Sequence, residues 1–356
     1  MELRNKPDFD MAMKRIIAWY NQEMIDRVPI RFHAHNSEYD QSNNPANKTW
    51  NSLKERWFDT EYQVDSFIES IKGVQFIAET FPVYMPNLGP EVYAAFFGCE
   101  LEFKEVTSYS IPMIKEWEEV QKIKLDTQSA YFKKIEELTY LAIEKCNGNF
   151  MVGYTDLHPG LDCVAAWRDP QQLCVDLLLN PEEIHDLLAL ATKGFIETFN
   201  HFDKILKQNN HLSVTWMGIP SFEKMHIPSC DFAAMISPKQ FEEFCLPDIE
   251  NEIKLMDQNI FHLDGKGVAR HLDQILELKK INAIQWVQGM GVDTPIMQWV
   301  PLIKKILAAG KSVVIDLELE ELEDLIRAFP NPEGLLLCIP ADQKIQPDIV
   351  KRVAKW

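Results

Sequence analysis

Eight short runs rich in β-branched and aromatic residues recur along the chain, and helical stretches separate them. The runs are VPIRFH (28–33), GVQFIAETF (73–81), FMVGYTDL (150–157), LSVTWMGIP (212–220), NIFHLDG (259–265), AIQWVQG (283–289), SVVIDLE (312–318) and GLLLCIP (334–340). Each is followed by a helical stretch or by an insertion that contains one. Parallel strands with helical crossovers produce this alternation, and eight such units predict an α/β fold, a closed (β/α)8 TIM barrel.

The spacing of these runs predicts one large domain. A chain of 356 residues is longer than most single domains, yet α/β barrels often continue past about 250 residues as one unit. We therefore interpret residues 1–356 as a single barrel with a helical N-terminal extension (1–27) and long inserts after the first two strands. The second insert, residues 85–149, is predicted to be helical. Such inserts form either lids and pocket walls or solvated loops, and the sequence leaves both open.

The charge of the chain restricts its partners. Its 54 acidic and 36 basic residues give a formal net charge of -18, whereas nucleic-acid binding depends on Lys and Arg that neutralise phosphates. We therefore expect no nucleic-acid partner, no anionic membrane surface, and a small-molecule substrate or a basic protein instead. No apolar run approaches the roughly 18 residues that span a bilayer. Together with seven cysteines that lack a disulfide-like spacing, this predicts a cytoplasmic protein.

Polar residues that close the predicted strands are the candidates for chemistry, because the active site of a (β/α)8 barrel lies at the carboxyl ends of its strands. Glu79, near the end of the second run, is predicted to be a catalytic carboxylate or to assist a metal site. The residues predicted to bind substrate are His33, His35, Tyr84, Asp156, His158, Trp216, Gln285, Gln288 and Asp316.

His262 and Asp264 stand out in the stretch NIFHLDGKG (259–267). Side chains two residues apart on a strand point to the same side, so both face the barrel interior if either does. Phe261 and Leu263 then pack outward against helices. Two polar groups inside a barrel mouth require partners, because an unpaired buried carboxylate is costly.

Zinc is one partner that would satisfy these groups. It accepts His nitrogen, Asp oxygen and Cys sulfur, and a catalytic site typically has three protein ligands and one open position. Cys338, near the end of the last run, is the third ligand that we add to His262 and Asp264. The alternative is that Asp264 only hydrogen-bonds His262 and that no metal binds.

Two common catalytic motifs do not occur. No strand is followed by a glycine-rich phosphate loop of the form G-x-G-x-x-G or G-x-x-x-x-G-K-[ST]. No G-x-S-x-G nucleophile elbow occurs either. Nucleotide-dependent phosphoryl transfer and serine hydrolysis are therefore disfavoured.

Four stretches carry a resemblance to a known superfamily. They are LGPEVYAAFFGCELEF (88–103), DCVAAWRDPQQLCVDLLLNPEEIHDLL (162–188), SCDFAAMISPKQFEEFCLPDI (229–249) and FHLDGKGVARHLDQILEL (261–278). They resemble the uroporphyrinogen decarboxylase superfamily, from about residue 70 onward. The resemblance implies a (β/α)8 barrel and an activity such as decarboxylation or cobalamin-dependent methyl transfer.

The decarboxylase of that superfamily holds its tetrapyrrole with an arginine-rich segment near the N-terminus. The corresponding stretch here, VPIRFHAHNSEYD, contains one arginine, Arg31, so that pattern is not matched. The zinc-dependent methyltransferases of the superfamily have His-x-Cys after the fifth strand and a cysteine after the eighth. This chain resembles them in His262 and Cys338 but has Asp264 in place of the first cysteine. One fewer sulfur makes the metal a stronger Lewis acid, which favours an oxygen-bearing substrate.

The sequence thus leaves three hypotheses. The first is a methyltransferase that moves a methyl group from a small O- or N-methyl substrate to a corrinoid protein, with zinc at His262, Asp264 and Cys338. The alternative is a decarboxylase of a porphyrinogen-like or other carboxylated substrate, in which Asp231, Asp264 and His262 act as hydrogen-bonding and proton-transfer groups without a metal. The third is a barrel that only binds a ligand. We consider a homodimer as the assembly.

Overall fold

The computed structural model describes residues 3–33 and 48–356. Its strands are β1 (Ile30–Phe32), β2 (Val83–Tyr84), β3 (Glu100–Phe103), β4 (Ser108–Ile111), β5 (Met151–Val152), β6 (Met225–His226), β7 (Gln258–Asp264), β8 (Ala283–Val287), β9 (Ser312–Asp316) and β10 (Leu335–Ile339). Six of them form one sheet in the order β1-β10-β9-β8-β7-β6. All neighbours in it are parallel, as expected for strands joined by helical crossovers.

The other four strands form two pairs. β2 and β5 are parallel, and β3 and β4 form an antiparallel hairpin inside the insert predicted to be helical. Single backbone hydrogen bonds connect the β2–β5 pair to the neighbouring chain. The Glu79 N–H donates to the Ile30 carbonyl (2.8 Å), and the Tyr154 N–H donates to the Val214 carbonyl (2.9 Å). The α/β class with parallel strands is therefore confirmed, whereas continuous pairing of eight strands into a closed barrel is not.

Fifteen α-helices surround the strands in the part of the chain that the structure describes. They are α1 (Phe9–Tyr20), α2 (Leu53–Phe58), α3 (Thr60–Ser70), α4 (Val92–Ala95), α5 (Ala130–Cys146), α6 (Gly160–Arg168), α7 (Pro170–Leu179), α8 (Pro181–Gln208), α9 (Pro238–Gln240), α10 (Leu246–Lys254), α11 (Gly265–Ala269), α12 (Leu272–Glu277), α13 (Val300–Ala308), α14 (Leu322–Ala328) and α15 (Gln346–Val353). None of the helices within these described ranges combines the length and apolar character that crossing a bilayer requires.

Helix α8 shows how the sequence specifies these elements. Pro181 stands at its first position, where its missing N–H has no intrahelical partner to lose. Buried apolar residues then recur three and four apart, beginning with Ile184, Leu187, Leu188 and Ala191. This spacing places them on one face of the helix, which packs on the core.

Side chains of the main sheet alternate between two hydrophobic clusters. On β7, Phe261 and Leu263 belong to the outer cluster that packs against the helices, whereas Ile260 belongs to the inner cluster. The same alternation places Val314 and Leu336 on the inner face. Because the period of a strand is two residues, His262 and Asp264 share the inner face with Ile260.

Helix α1 closes the amino ends of these strands. Its residues Met13, Ile16 and Trp19 are buried in the inner cluster. The Trp19 indole donates to the carbonyl of Gly334 at 2.9 Å, and the Trp19 carbonyl accepts from the Ser312 hydroxyl at 2.5 Å. The inner face is thus sealed at this end, and the residues at the opposite, carboxyl ends border the candidate site.

Two of the predicted strands differ from the structure. The run 73–81 is interrupted at Ala78, which has a φ of 53°, and pairing begins only at Val83. The run 212–220 is reversed by a turn in which the Gly218 N–H donates to the Thr215 carbonyl at 3.0 Å. β6, which follows this turn, pairs with β7 in its place. Positive φ values force the backbone out of the extended region, so neither run continues as a strand.

Candidate metal centre

Asp231, His262 and Asp264 form a cluster in which one ligand atom from each residue lies within 4.8 Å of the other two. His262 and Asp264 end β7 on its inner face. Asp231 comes from a different segment, the start of the 3-10 helix Asp231–Met235 that follows β6. An imidazole and two carboxylates at this separation are a donor set that divalent metals accept.

The segment that carries Asp231 is fixed by hydrogen bonds from its backbone. The N–H groups of Asp231 and Phe232 donate to the two carboxylate oxygens of Asp162 on α6, at 3.0 and 2.8 Å. On the other side, the His262 N–H donates to the Pro228 carbonyl at 3.0 Å. The position of Asp231 is therefore set by α6 and by β7 together.

His262 is held from two directions. Its Nδ1 lies 2.6 Å from Oε1 of Gln285 on the neighbouring strand β8, with which it is in register. The Trp216 ring stands at 87° to the imidazole, with ring centroids 5.3 Å apart. These contacts leave Nε2 as the nitrogen available to a ligand.

The pKa of Asp231 depends on the charged groups around the cluster. Loss of solvent and the nearby carboxylate of Asp162 raise the pKa of Asp231 to about 6, against the opposite influence of His262 and His158. This carboxylate is therefore held where added positive charge would stabilise it. A metal ion would supply that charge.

A hydrogen-bonded chain lies behind the segment of Asp231. His158 Nε2 is 2.9 Å from Asp156 Oδ1, and its Nδ1 is 2.7 Å from the Ser229 hydroxyl. Burial disfavours a charge on this imidazole, but the carboxylates of Asp156, Asp162 and Asp231 together outweigh burial and raise the pKa of His158 to about 9. Asp156 and His158 thus form an ion pair at neutral pH. The hydrogen bond between His158 and Ser229 positions Ser229, two residues before Asp231.

A cavity of about 310 Å³ opens beside the cluster. Its lining includes Asp231, His158 and Asp162 together with Cys163 and Phe232. The largest of the described cavities, about 750 Å³, is lined by the N-terminal segment and α3 and contains none of the predicted site residues. We therefore associate the smaller cavity, which Asp231 of the cluster lines, with the chemistry.

Two further predicted residues border the same end of the sheet. His33 Nε2 lies 4.0 Å from Oδ1 of Asp316, and both side chains are substantially exposed. The partial burial of Asp316 raises its pKa, while His33 and Arg31 act in the opposite direction. Gln288 instead fixes a loop, since its amide donates to the carbonyls of Thr294 (2.9 Å) and Asp316 (3.3 Å).

Other predicted residues lie elsewhere. The structure places Asp231, and not Cys338, in the cluster with His262, because β8 and β9 stand between β7 and β10. Burial raises the pKa of the Cys338 thiol to about 11, so it is protonated at neutral pH. Tyr84 is buried in the outer cluster and packs on Phe67 of α3, so its predicted contact with substrate gains no support.

Glu79 has the contacts of a structural residue. It is 1% exposed and accepts from both terminal nitrogens of Arg27, at 2.7 and 3.0 Å. It also accepts from Arg15 and from the Ile30 N–H. These contacts lie at the start of β1, so the predicted catalytic role stays a prediction that they do not support. His35 lies outside the described residues.

Sequence reasoning named Asp231 only as a proton-transfer group of the decarboxylase alternative, and it missed Asp162 and Ser229. Asp162 precedes Cys163 on α6, where nothing in the sequence distinguishes it from a surface acid. Its role depends on the approach of residues 231 and 232, which are far from it in the chain. Such a contact cannot be derived from local periodicity.

Comparison with known proteins gives information about the fold. No family model matches the sequence, and no curated protein of similar sequence was found. Among solved structures, the fold is similar to that of a methyltransferase from Methanosarcina mazei, with a TM-score of 0.61, 12% sequence identity, and 92% of each chain covered. At this identity the similarity establishes a shared fold.

Proposed function

We propose that the protein is a methyltransferase that binds a divalent metal at Asp231, His262 and Asp264. The observation that carries this proposal is the cluster itself, with its ligand atoms within 4.8 Å of one another. It is supported by the similarity over 92% of both chains to a methyltransferase of Methanosarcina mazei. We also propose that the chain belongs to the uroporphyrinogen decarboxylase-like superfamily and that its sheet is part of an eight-stranded barrel.

The donor set fits a metal that activates an oxygen-bearing substrate. Two carboxylates and one imidazole contain no sulfur, so the ligands are harder than a thiolate set. When bound, zinc would supply Lewis acidity to the heteroatom that carries the methyl group. The site therefore suits a methyl ether or a methylated amine better than a thiol.

The residues of the chain have separate tasks in this proposal. His262 presents Nε2 because Gln285 engages Nδ1 at 2.6 Å. Asp162 holds the backbone of Asp231, and the His158–Ser229 hydrogen bond fixes the segment before it. The methyl group leaves its oxygen or nitrogen, which keeps the electron pair of the broken bond. A reduced corrinoid carried by a partner protein supplies the pair that forms the new bond to the methyl group.

Metal analysis of the purified protein tests the proposal. We expect one equivalent of zinc in the native protein and in His185→Ala, which removes a half-exposed histidine of α8. We expect loss of that zinc in His262→Ala and Asp264→Asn. Methyl transfer from methoxylated compounds to reduced cobalamin, followed by its absorbance, should be lost in the same two variants. Native protein that binds no metal, with activity unchanged in both variants, would contradict the mechanism.

A decarboxylase remains the second candidate because of one observation. The pKa of Asp231 is raised to about 6, and an acid of that strength beside His262 can exchange protons near neutral pH. Release of CO2 from uroporphyrinogen by metal-free protein would favour this function. Retention of the activity after chelation would separate it from the methyltransferase.

A further inference from the structure

A small cavity lies between the runs 150–157 and 212–220 and the strand β6. Its volume is about 10 Å³, and Thr155 and Thr215 line it together with Asp156, Trp216 and His226. A single buried water molecule needs roughly 10–15 Å³ of this kind of space. The cavity is therefore of the right size for one water molecule and too small for an organic substrate.

Two hydroxyl groups of the lining lack a hydrogen-bond partner among the residues that the structure describes. They belong to Thr155 and Thr215, which are 4% and 7% exposed. A buried hydroxyl without a partner is costly, and most buried polar groups are satisfied by the protein or by an ordered water molecule. Each hydroxyl therefore requires a small hydrogen-bonding molecule beside it.

The other polar side chains of the lining already have partners. The Tyr154 hydroxyl takes part in two hydrogen bonds. Asp156 pairs with His158 at 2.9 Å, and His226 Nε2 lies 3.1 Å from a carboxylate oxygen of Glu252. Because the charge of Asp156 is compensated, nothing in the lining requires a cation. A neutral molecule that can donate and accept hydrogen bonds fits this cavity.

The two threonines stand where direct pairing between the two runs ends. Among the described residues, the Tyr154 N–H donates to the Val214 carbonyl at 2.9 Å, and this is the one backbone hydrogen bond between the runs. Thr155 and Thr215 follow immediately in each run. The second run then reverses, since the Gly218 N–H donates to the Thr215 carbonyl. A molecule bound to both hydroxyls would thus continue the connection by one more residue.

We propose that one ordered water molecule binds in this cavity, bridges the hydroxyls of Thr155 and Thr215, and holds together the two segments that carry Asp156 and Trp216. A bridging water is nearly as favourable as a direct hydrogen bond, so it can replace the missing ladder contact. This inference goes beyond the proposed function and does not depend on whether a metal binds.

The bridge connects two supports of the candidate site. Asp156 holds the imidazole of His158, which belongs to the hydrogen-bonded chain behind the segment of Asp231. Trp216 contacts the ring of His262, with centroids 5.3 Å apart. Each of these supports is adjacent in the chain to one of the two threonines. The water therefore couples the position of one support to that of the other.

Crystals of the native protein test the assignment. We expect a density peak within about 2.5–3.0 Å of both threonine hydroxyls, the usual range for hydrogen bonds between oxygens. The crystals would then be soaked in thallium(I), a strong anomalous scatterer that replaces potassium. An anomalous peak at this position would identify a cation and overturn the proposal, and so would a map without a peak between the hydroxyls.

Single substitutions test what the water does. Thr155→Val and Thr215→Val keep the shape of the side chain and remove one partner of the water, so the density peak should disappear. We expect amide hydrogen exchange in residues 154–157 and 214–217 to become at least roughly ten-fold faster, because the segments open more often. Thr155→Ser and Thr215→Ser retain the hydroxyls and should keep the peak and the native exchange rates.

A matched control removes a buried hydroxyl elsewhere. Thr139 donates to the Ile135 carbonyl of its own helix at 2.7 Å, so Thr139→Val should leave exchange in both segments unchanged. Native exchange rates in both valine variants would contradict the holding role of the water. If the valine variants do not fold, the native crystals and the serine variants still decide whether the site exists. Neither measurement uses added metal, so its failure would leave the proposed function untouched.

Discussion

Nδ1 of His262 and Oε1 of Gln285 lie 2.6 Å apart across two neighbouring strands. Since an amide oxygen only accepts hydrogen bonds, Nδ1 carries the proton and Nε2 keeps a free lone pair. A residue of this kind orients a ligand without touching the metal. The same strand register that pairs residues 262 and 285 thus selects the tautomer that can bind a cation.

Replacement of Gln285 should weaken metal binding. In Gln285→Leu the imidazole loses its acceptor, and we expect zinc affinity to fall roughly 10- to 100-fold, the usual effect of losing such an orienting partner. Competition with a chromophoric chelator measures the change. Gln171→Leu, on the exposed surface of α7, is the control and should bind zinc like the native protein. An affinity equal to that of the control would remove Gln285 from the description of the site.

The identity of the third ligand can be decided by two substitutions. Asp231→Asn should lower zinc affinity at least roughly ten-fold because it removes a charged ligand of the cluster. Cys338→Ala should leave the affinity unchanged, since the thiol is buried, protonated and separated from β7 by two strands. Cobalt substitution adds a spectroscopic check, because a thiolate ligand produces a charge-transfer band that the structure does not predict. The opposite pattern would restore the ligand set expected from the sequence.

Loss of Glu79 should destabilise the fold and leave the metal site intact. The Glu79→Gln variant leaves Arg27 without its buried counter-charge, for which we expect a loss of roughly 3–5 kcal/mol in the free energy of unfolding. Denaturant titration measures it. Glu323→Gln removes the exposed partner of Arg352 and should change the midpoint little. Unaltered stability of Glu79→Gln, combined with lost activity, would point to the catalytic role that the sequence suggested.

Acid should destabilise the protein through His211. Burial lowers the pKa of this imidazole to about 4, and its Nδ1 accepts from the Val152 N–H at 3.1 Å. The unfolded chain, with a pKa near 6.5, binds more protons between those two values, so stability falls as the pH decreases from about 6.5 to about 4. The contribution is at most about 3.5 kcal/mol.

The His211→Asn variant isolates that effect. Its amide oxygen can accept from Val152, but it does not titrate, so the fall in stability between about pH 6.5 and 4 should be smaller than in the native protein. His185→Asn, a half-exposed position, should follow the native profile. Identical slopes for native protein and His211→Asn would mean that other groups cause the acid sensitivity.

The sequence predicts the second half of the sheet better than the first. β7 to β10 are apolar-rich strands with short connections; β8, β9 and β10 lie within the runs predicted for them, and β7 begins one residue before its run, at Gln258. In the first half, Ala78 and Gly218 take positive φ values that end two predicted strands. A positive φ at alanine has no signature in a single sequence, because it is imposed by the packing around it.

The candidate site, like the sheet, is predicted only in part from the sequence. Residues 262 and 264 could be paired from sequence because the two-residue period of a strand is local. Asp231 could not be added, since its approach depends on contacts between α6, the segment after β6 and β7. Cys338 also ends a strand, but β8 and β9 lie between that strand and β7, and its role as a metal ligand stays a prediction. Local periodicity predicts pairs of ligands, and only tertiary contacts determine the complete set.

Helix α1 has a consequence for the order of folding. Gly334 and Ser312, which hydrogen-bond Trp19 of this helix, are about 300 residues later in the chain. The helix is synthesised before these strands, so Ile16 and Trp19 cannot take their buried positions until the strands exist. Contacts of such sequence separation form slowly, so the apolar face of this helix stays open to aggregation or to capture by a chaperone until they form.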